Sequence, residues 1–301
     1  MPLSDLPLEL AQVVFQHAAS AAVGSRPGRV VELMTVSSQI YDWTRPVLMH
    51  TIIIDKNNQD SFFGMLAAHD QEFFQCVQRL AMLWALPPPN LQQHVLKCLS
   101  HVKAATLHRR FVRFFAQSPE FAPVDLIWAS DPPDMDDLSP DAGLQTAFHK
   151  VQRLRVSSTE VPHTDWKRVQ ALAPQLEAIC LVTPHSVASG RLASFMTYLS
   201  TILCIPTVRR VVLRLDVRST VVWRGLIAVL RDLLREEQRI WVARVTKAEL
   251  EGGVLMAARR ARAGIDPWAG TPLHSTAENT APVFTGAQRE RLRQLKVPHW
   301  Q

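Results

Sequence analysis

CVQRLAML (residues 76–83) and KVQRLRVS (residues 150–157) carry the same four residues, Val-Gln-Arg-Leu, at the head of an apolar run. Two further segments keep the form with other residues in the middle, Leu176-Glu-Ala-Ile179 and Val208-Arg-Arg-Val211. Each run is short, rich in β-branched or large apolar residues and bounded by polar ones, which is the pattern of a buried strand. Working outward from these four, the same kind of run recurs as HTIIID (50–55), VKAATLH (102–108), PVDLIWA (123–129) and RIWVARV (239–245). The centres lie roughly 20 to 32 residues apart, a spacing that marks stacked supersecondary units.

Between the runs lie segments with apolar residues three and four apart: LQQHVLKCLS (91–100), DWKRVQALA (165–173), ASGRLASFMTYLSTIL (188–203) and RGLIAVLRDLLREEQ (224–238). That period predicts amphipathic helices. Strand alternating with helix predicts an α/β fold with parallel strands and right-handed crossovers. A doubly wound sheet uses the same alternation. Near-equal spacing and the repeated strand form favour a curved, leucine-rich-repeat-like stack over residues 51–263. Two stretches break the rhythm. SDPPDMDDLSPDAG (130–143), with five aspartates and three prolines, reads as a loop. GIDPWAGTPLHSTAENTAPVF (264–284) reads as a tether before a basic helix, GAQRERLRQLK (286–296), so 264–301 forms a third region.

Composition narrows the function classes. A chain of 301 residues with 47% hydrophobic and 20% charged residues builds a core without staples. Cys76, Cys98, Cys180 and Cys204 are scattered, with no zinc-type pair, and read as thiols of an intracellular protein, cytoplasmic or nuclear. The start of the chain has neither the basic nor the apolar region of a signal peptide. The longest apolar stretch, FMTYLSTILCIP (195–206), is too short for a bilayer, so a soluble chain without membrane partners is expected. Residues 207–262 hold thirteen Lys/Arg against six Asp/Glu. These are interleaved with apolar positions, so a solvated face is favoured over a nucleic-acid site.

Motifs that carry chemistry are missing. No glycine spacing cradles a phosphate, and there is no nucleophile elbow and no HExxH pair. The acidic loop lacks the glycine and glutamate of a calcium-binding EF-hand. His94, His101 and His108 sit seven apart, but the run at 102–108 interrupts any helix that would align them. These residues leave no reaction to name, since catalytic groups can also be distant in sequence, and no cofactor or metal is expected.

The first fifty residues read differently. Asp5 is a candidate helix cap, Pro7 and Glu9 suit a first turn, and Leu10, Val13, Val14 and Ala18 follow at helical spacing. AVGSRPGR (22–29) breaks the chain, a second helix begins near Val30, and a third carries Ile40, Trp43 and Val47. Three short helices cannot bury all these apolar positions among themselves. Leu6-Pro7-Leu8-Glu9-Leu10, Val14-Phe15, Met34-Thr35-Val36-Ser37, Trp43 and Pro46-Val47-Leu48 before His50-Thr51-Ile52 together resemble the F-box. The form is that of F-box-like proteins abundant in mushroom-forming fungi, with Ile40 where that pattern has a tryptophan. The resemblance covers about fifty residues, with a repeat region following as in that family. It implies a three-helix module over residues 1–50 that docks a Skp-family adaptor and, through it, a cullin scaffold. By position it implies a first apolar surface of Leu6, Pro7, Leu10, Val14 and Phe15 and a second of Val36, Ile40 and Trp43. It implies a repeat region that holds a protein substrate on its strand-lined face or at its loop ends.

Overall fold

Each of the eight apolar runs becomes a strand in the computed structural model of the chain, which describes residues 6–128, 142–157, 166–183, 192–215, 220–245, 247–266 and 268–273. The chain is α/β. It divides into two compact units, one of residues 1–123 with 252–267 and one of 124–251 with 268–301. The division drawn from sequence at residue 50 follows element type; the units follow contacts, so the three N-terminal helices share a unit with the first three strands.

The first unit opens with α1 (Leu8–Val23), α2 (Pro27–Met34) and α3 (Ser38–Met49). Pro7 precedes α1, and its carbonyl accepts from Leu10 N and Ala11 N at 3.0 Å, while Asp5, the expected cap, lies outside the described residues. Pro27 takes the first position of α2, where its missing N–H is not needed. Ser37 caps α3 by accepting from Ile40 N at 3.2 Å. Ala19, Val23 and Val30 form the module's core, with Leu33, Met34, Val47 and Leu48 packed against them. Strand β1 (Thr51–Ile54) follows, then α4 (Gln59–Ala68), α5 (Gln71–Phe74), β2 (Arg79–Met82), α6 (Gln92–Leu99), β3 (Ala104–Leu107) and α7 (Arg109–Phe115). The three strands pair in parallel in chain order. Alternation puts Ile52, Ile54, Leu80, Met82, Ala105 and Leu107 on one face, and all six are buried.

The second unit holds β4 (Asp125–Trp128), α8 (Ala142–His149), β5 (Arg153–Ser157), α9 (Trp166–Leu172), β6 (Ala178–Thr183), α10 (Leu192–Leu203), β7 (Arg210–Leu215), α11 (Thr220–Leu233) and β8 (Ile240–Arg244). Helix α12 (Lys247–Arg262) then runs from this unit into the first. Strands β4 to β8 are parallel and in chain order, and β9 (Thr271–Pro272) closes the edge antiparallel to β8. Within each unit the order never reverses, whereas a doubly wound sheet reverses at its switch point.

The repeated sequence form is also a repeated geometry. Val77, Val102, Val151, Leu176 and Val208 each stand two residues before a strand, and each is buried. After Val77, Val151 and Leu176 the carbonyl of the next residue accepts two successive backbone N–H groups from the following repeat. Gln78 accepts from Lys103 and Ala104, Gln152 from Glu177 and Ala178, and Glu177 from Arg209 and Arg210, at 2.8–3.1 Å. At these three junctions one buried apolar anchor and one shared carbonyl set the start of a strand against its neighbour.

Outside this pattern, α4, α5, α7, α8, α12 and β9 add elements that periodicity did not mark. Within the stretch expected to be a tether, residues 264–266 and 268–273 are described, and Trp268 and Leu273 are buried in the second unit. The basic helix at 286–296 and residues 130–141 of the acidic loop lie outside the described residues.

Two stability predictions arise here. Arg239 joins the end of α10 to the start of β7: it donates to the Leu203 carbonyl at 3.0 Å and the Val208 carbonyl at 3.1 Å. It also grips Glu237 through Nε at 2.9 Å and Nη2 at 2.7 Å, and the hydrogen bond to Glu237 holds its pKa above the ordinary arginine value. Arg239→Ala removes the guanidinium from two carbonyls and from the Glu237 carboxylate, which keeps the residue-239 backbone N–H at 3.0 Å, and is expected to destabilise the second unit by about 2–3 kcal/mol in a denaturant titration. Arg239→Lys, with one ammonium in place of the planar fork, should recover only part of that.

Gly24 ends α1 against the last turn of α12. A Cβ built there would lie 2.5 Å from Ala263 Cα and Cβ. Gly24→Ala is therefore expected to destabilise the first unit by about 1–3 kcal/mol. Gly28, inside α2, has nothing within 4 Å of the same position. Gly28→Ala is expected to leave the chain unchanged or more stable by up to about 1 kcal/mol, and thermal melts of the two variants check the opposite signs.

Candidate partner-docking surface

Helix α1, LELAQVVFQHAASAAV, is apolar on more than one side. Its inner side, Ala19 and Val23 with Ala22, enters the core of the three-helix module. Its outer side keeps apolar residues in water: Leu10 is 52% exposed, Val13 60% and Val14 47%. These stand at spacings of three and four, so they share one face. Leu8 at the start of the helix, Val31 on α2 and Val36 in the turn between α2 and α3 are exposed too, Val36 at 63%. A helix that is apolar all round is normally buried all round. Here only one side is buried by the described residues, and the other forms a patch of the kind that marks protein contact.

The expected site residues separate by burial. Leu10, Val14 and Val36 are exposed, Pro7 is exposed at the head of α1, and Leu6 is half-buried. Phe15 and Trp43 are half-buried against each other, ring centroids 6.4 Å apart and tilted by 38°, and join α1 to α3. Ile40 faces inward at 8% exposure, one turn before Thr44, whose hydroxyl donates to the Ile40 carbonyl at 2.7 Å. Ile40 therefore supports the module from inside and is not offered to a partner. Leu8, Val13 and Val31 join the exposed set. The spacing of Val13 to Leu10 is visible in sequence, but which side of α1 turns outward is not.

The strand-lined face of the second unit is charged at one end and closed at the other. Asp125 on β4 holds Arg153 on β5 through Nε and Nη2. On β6 and β7, Ala178, Cys180 and Val212 form an apolar floor with Val182 and Trp241, and Trp268 lies buried on it. Arg210 stacks over the Trp241 ring at 3.8 Å and donates to the Trp268 carbonyl at 2.8 Å. Gly270 lets the strand pass β8 closely: a Cβ there would meet the Val242 carbonyl oxygen at 3.2 Å. This part of the face expected to take a substrate is thus filled by the chain's own residues.

Cys98 and His94 bring a thiol beside an imidazole, Sγ to Nε2 at 3.6 Å. The same Nε2 sits 2.9 Å from the Leu66 carbonyl oxygen and 3.0 Å from that of His69, so it carries the proton and donates. It has no lone pair there to take a proton from sulfur. Burial pushes the Cys98 thiol up, the opposite of activation. Among the described residues no group of three or more His, Cys, Asp or Glu is placed to hold a metal ion, and no helix is long and apolar enough to cross a membrane.

No protein-family model matches the chain, and a search of curated proteins finds no match.

Proposed function

We propose that the chain is a non-enzymatic, substrate-recruiting subunit of an SCF-type ubiquitin ligase. In this reading α1 to α3 are an F-box-like module that docks a Skp-family adaptor, and the strands and helices that follow are a curved, leucine-rich-repeat-like stack that holds a protein substrate. The observation that carries it is the outward apolar side of α1, Leu10, Val13 and Val14, on a module whose own core is already filled. Consecutive parallel strands, with the same anchor and shared carbonyl at three of the junctions, support the repeat reading. Such a subunit performs no bond chemistry. It raises the local concentration of acceptor lysines around a charged ubiquitin carrier, a proximity effect.

The test is calorimetric titration of a purified Skp-family adaptor into the full chain. Binding at micromolar concentration or tighter is expected, and no heat at that concentration overturns the reading. A second reading, an interaction scaffold of F-box fold that does not dock the adaptor, draws on Ile40 being inward and Trp43 being engaged with Phe15. It predicts the absence of that heat.

A further inference from the structure

The last turn of α12 and the turn between α1 and α2 are more than two hundred residues apart in sequence and touch at Ala263 and Gly24. Within five residues of that contact the two segments carry five arginines, Arg26 and Arg29 on one and Arg259, Arg260 and Arg262 on the other, all in the first unit. Two of the pairings are loose: Arg29 to Glu32 at 3.8 Å, exposed on both sides, and Arg259 to Asp55 at 3.8 Å, with the arginine exposed and the carboxylate largely covered. Among the described residues Arg26 and Arg262 have neither an ion pair nor a side-chain hydrogen bond, and the Nε of Arg262 is buried without an acceptor. Burial pushes the Arg262 guanidinium below the ordinary arginine value. The C-terminal dipole of α12 favours arginines in its last turn. It does not account for Arg26 and Arg29, which lie before α2 and in its first turn, where the dipole disfavours positive charge.

From the arginines that flank this contact we infer a binding surface for an acidic segment of a partner protein, one bearing several carboxylates beside an apolar residue. Arginine forks match carboxylates two bonds at a time, and a desolvated, unpaired guanidinium gains most from an incoming anion. Ile265, 43% exposed just past α12, supplies an apolar contact at the rim. Neither segment, residues 22–32 or 255–266, contains an aromatic ring on which a base could stack, and Glu32, Asp55 and Asp266 interrupt the positive field. Both features favour a protein segment over a nucleic acid. The inference rests on these arginines alone and stands whether or not the adaptor reading does.

The test uses the full chain and fluorescence anisotropy with three probes: a fluorescein-labelled 15-residue peptide of glutamate and leucine, a 15-nucleotide single-stranded DNA and a 15-base-pair duplex. Salt is held at about 50 mM, where exposed charge pairs are least screened. The peptide is expected to bind in the micromolar range. Arg26→Glu with Arg29→Gln, and separately Arg262→Gln, should each weaken it by about tenfold or more, while Arg110→Glu, exposed and off the surface, leaves it unchanged. Hydrogen exchange on the wild-type chain should show peptide-dependent protection in 22–32 and 257–266, which tests the surface even if a variant loses its fold. Tighter binding of either DNA than of the peptide, equal peptide affinity in folded variants, no binding of the peptide, or protection confined to other residues each overturns the inference.

Discussion

Replacing Leu10 and Val14 together by aspartate is expected to lower the affinity for a Skp-family adaptor by at least about a hundredfold while the far-ultraviolet circular dichroism stays that of the wild type. Both side chains are about half exposed in the free chain, so docking would remove from water roughly half of what full burial removes, about 1 kcal/mol for each. The larger part comes from the introduced charges. A carboxylate carried into an apolar contact without a partner is disfavoured by several kcal/mol after relaxation. Together these exceed the roughly 2.8 kcal/mol that a hundredfold change requires. The fold has little to lose, because neither residue belongs to the module's core. Residue 10 also lies near the positive end of the α1 dipole, where an acid is favoured. Phe15 is the wrong target for this experiment: it packs on Trp43, and a charge there would damage the module and mimic lost docking. If the wild-type chain binds and the double variant binds within threefold of it, the outer side of α1 is not the docking surface.

Trp268→Ala is expected to destabilise the second unit by about 3–5 kcal/mol, the largest effect of any single change considered. The ring is 2% exposed and covers Ala178, Cys180 and Val212, while its backbone carbonyl is tied to Arg210. Truncation leaves a cavity over β6 and β7 and takes the ring away from the Arg153 guanidinium, 5.7 Å from its centroid. A second readout separates loss of the cover from general unfolding. Cys180 is fully buried beneath the ring, whereas Cys204 is exposed and Cys76 partly so. In native buffer the variant should expose Cys180 to a thiol reagent at a rate well above the wild type, with Cys204 reacting equally fast in both. A shift in the unfolding midpoint worth less than about 1 kcal/mol, together with an unreactive Cys180, would show that other residues close this face.

Much of the second unit's plan was legible because its strands are made locally. A run such as Arg210–Leu215, RVVLRL, is apolar and β-branched on its own account, and the buried anchor two residues before it, Val208, is in the sequence for anyone to see. Four of the expected helices, ending in α11, were equally plain from their period. Less was legible where an element draws its reason from elsewhere. Thr271–Pro272 has no strand signature and pairs only because β8 presents an open edge. Trp268 sits among turn formers, and nothing around it in sequence tells that it covers β6 and β7.

The sequence by itself determined that this is an α/β chain of repeating strand and helix behind three short apolar helices, because propensity and period act over a few residues at a time. Only the tertiary structure decided that strands follow chain order without reversal, since alternation is common to stacked and doubly wound sheets. It decided which side of α1 meets the core and which meets water, because that helix is apolar on both and its own pattern does not choose. It turned Ile40 inward and left Val13 and Val31 outside. It brought Gly24 against Ala263, and so two arginine-bearing segments into contact, because close approach between segments that distant is set by packing and leaves no mark on either segment alone.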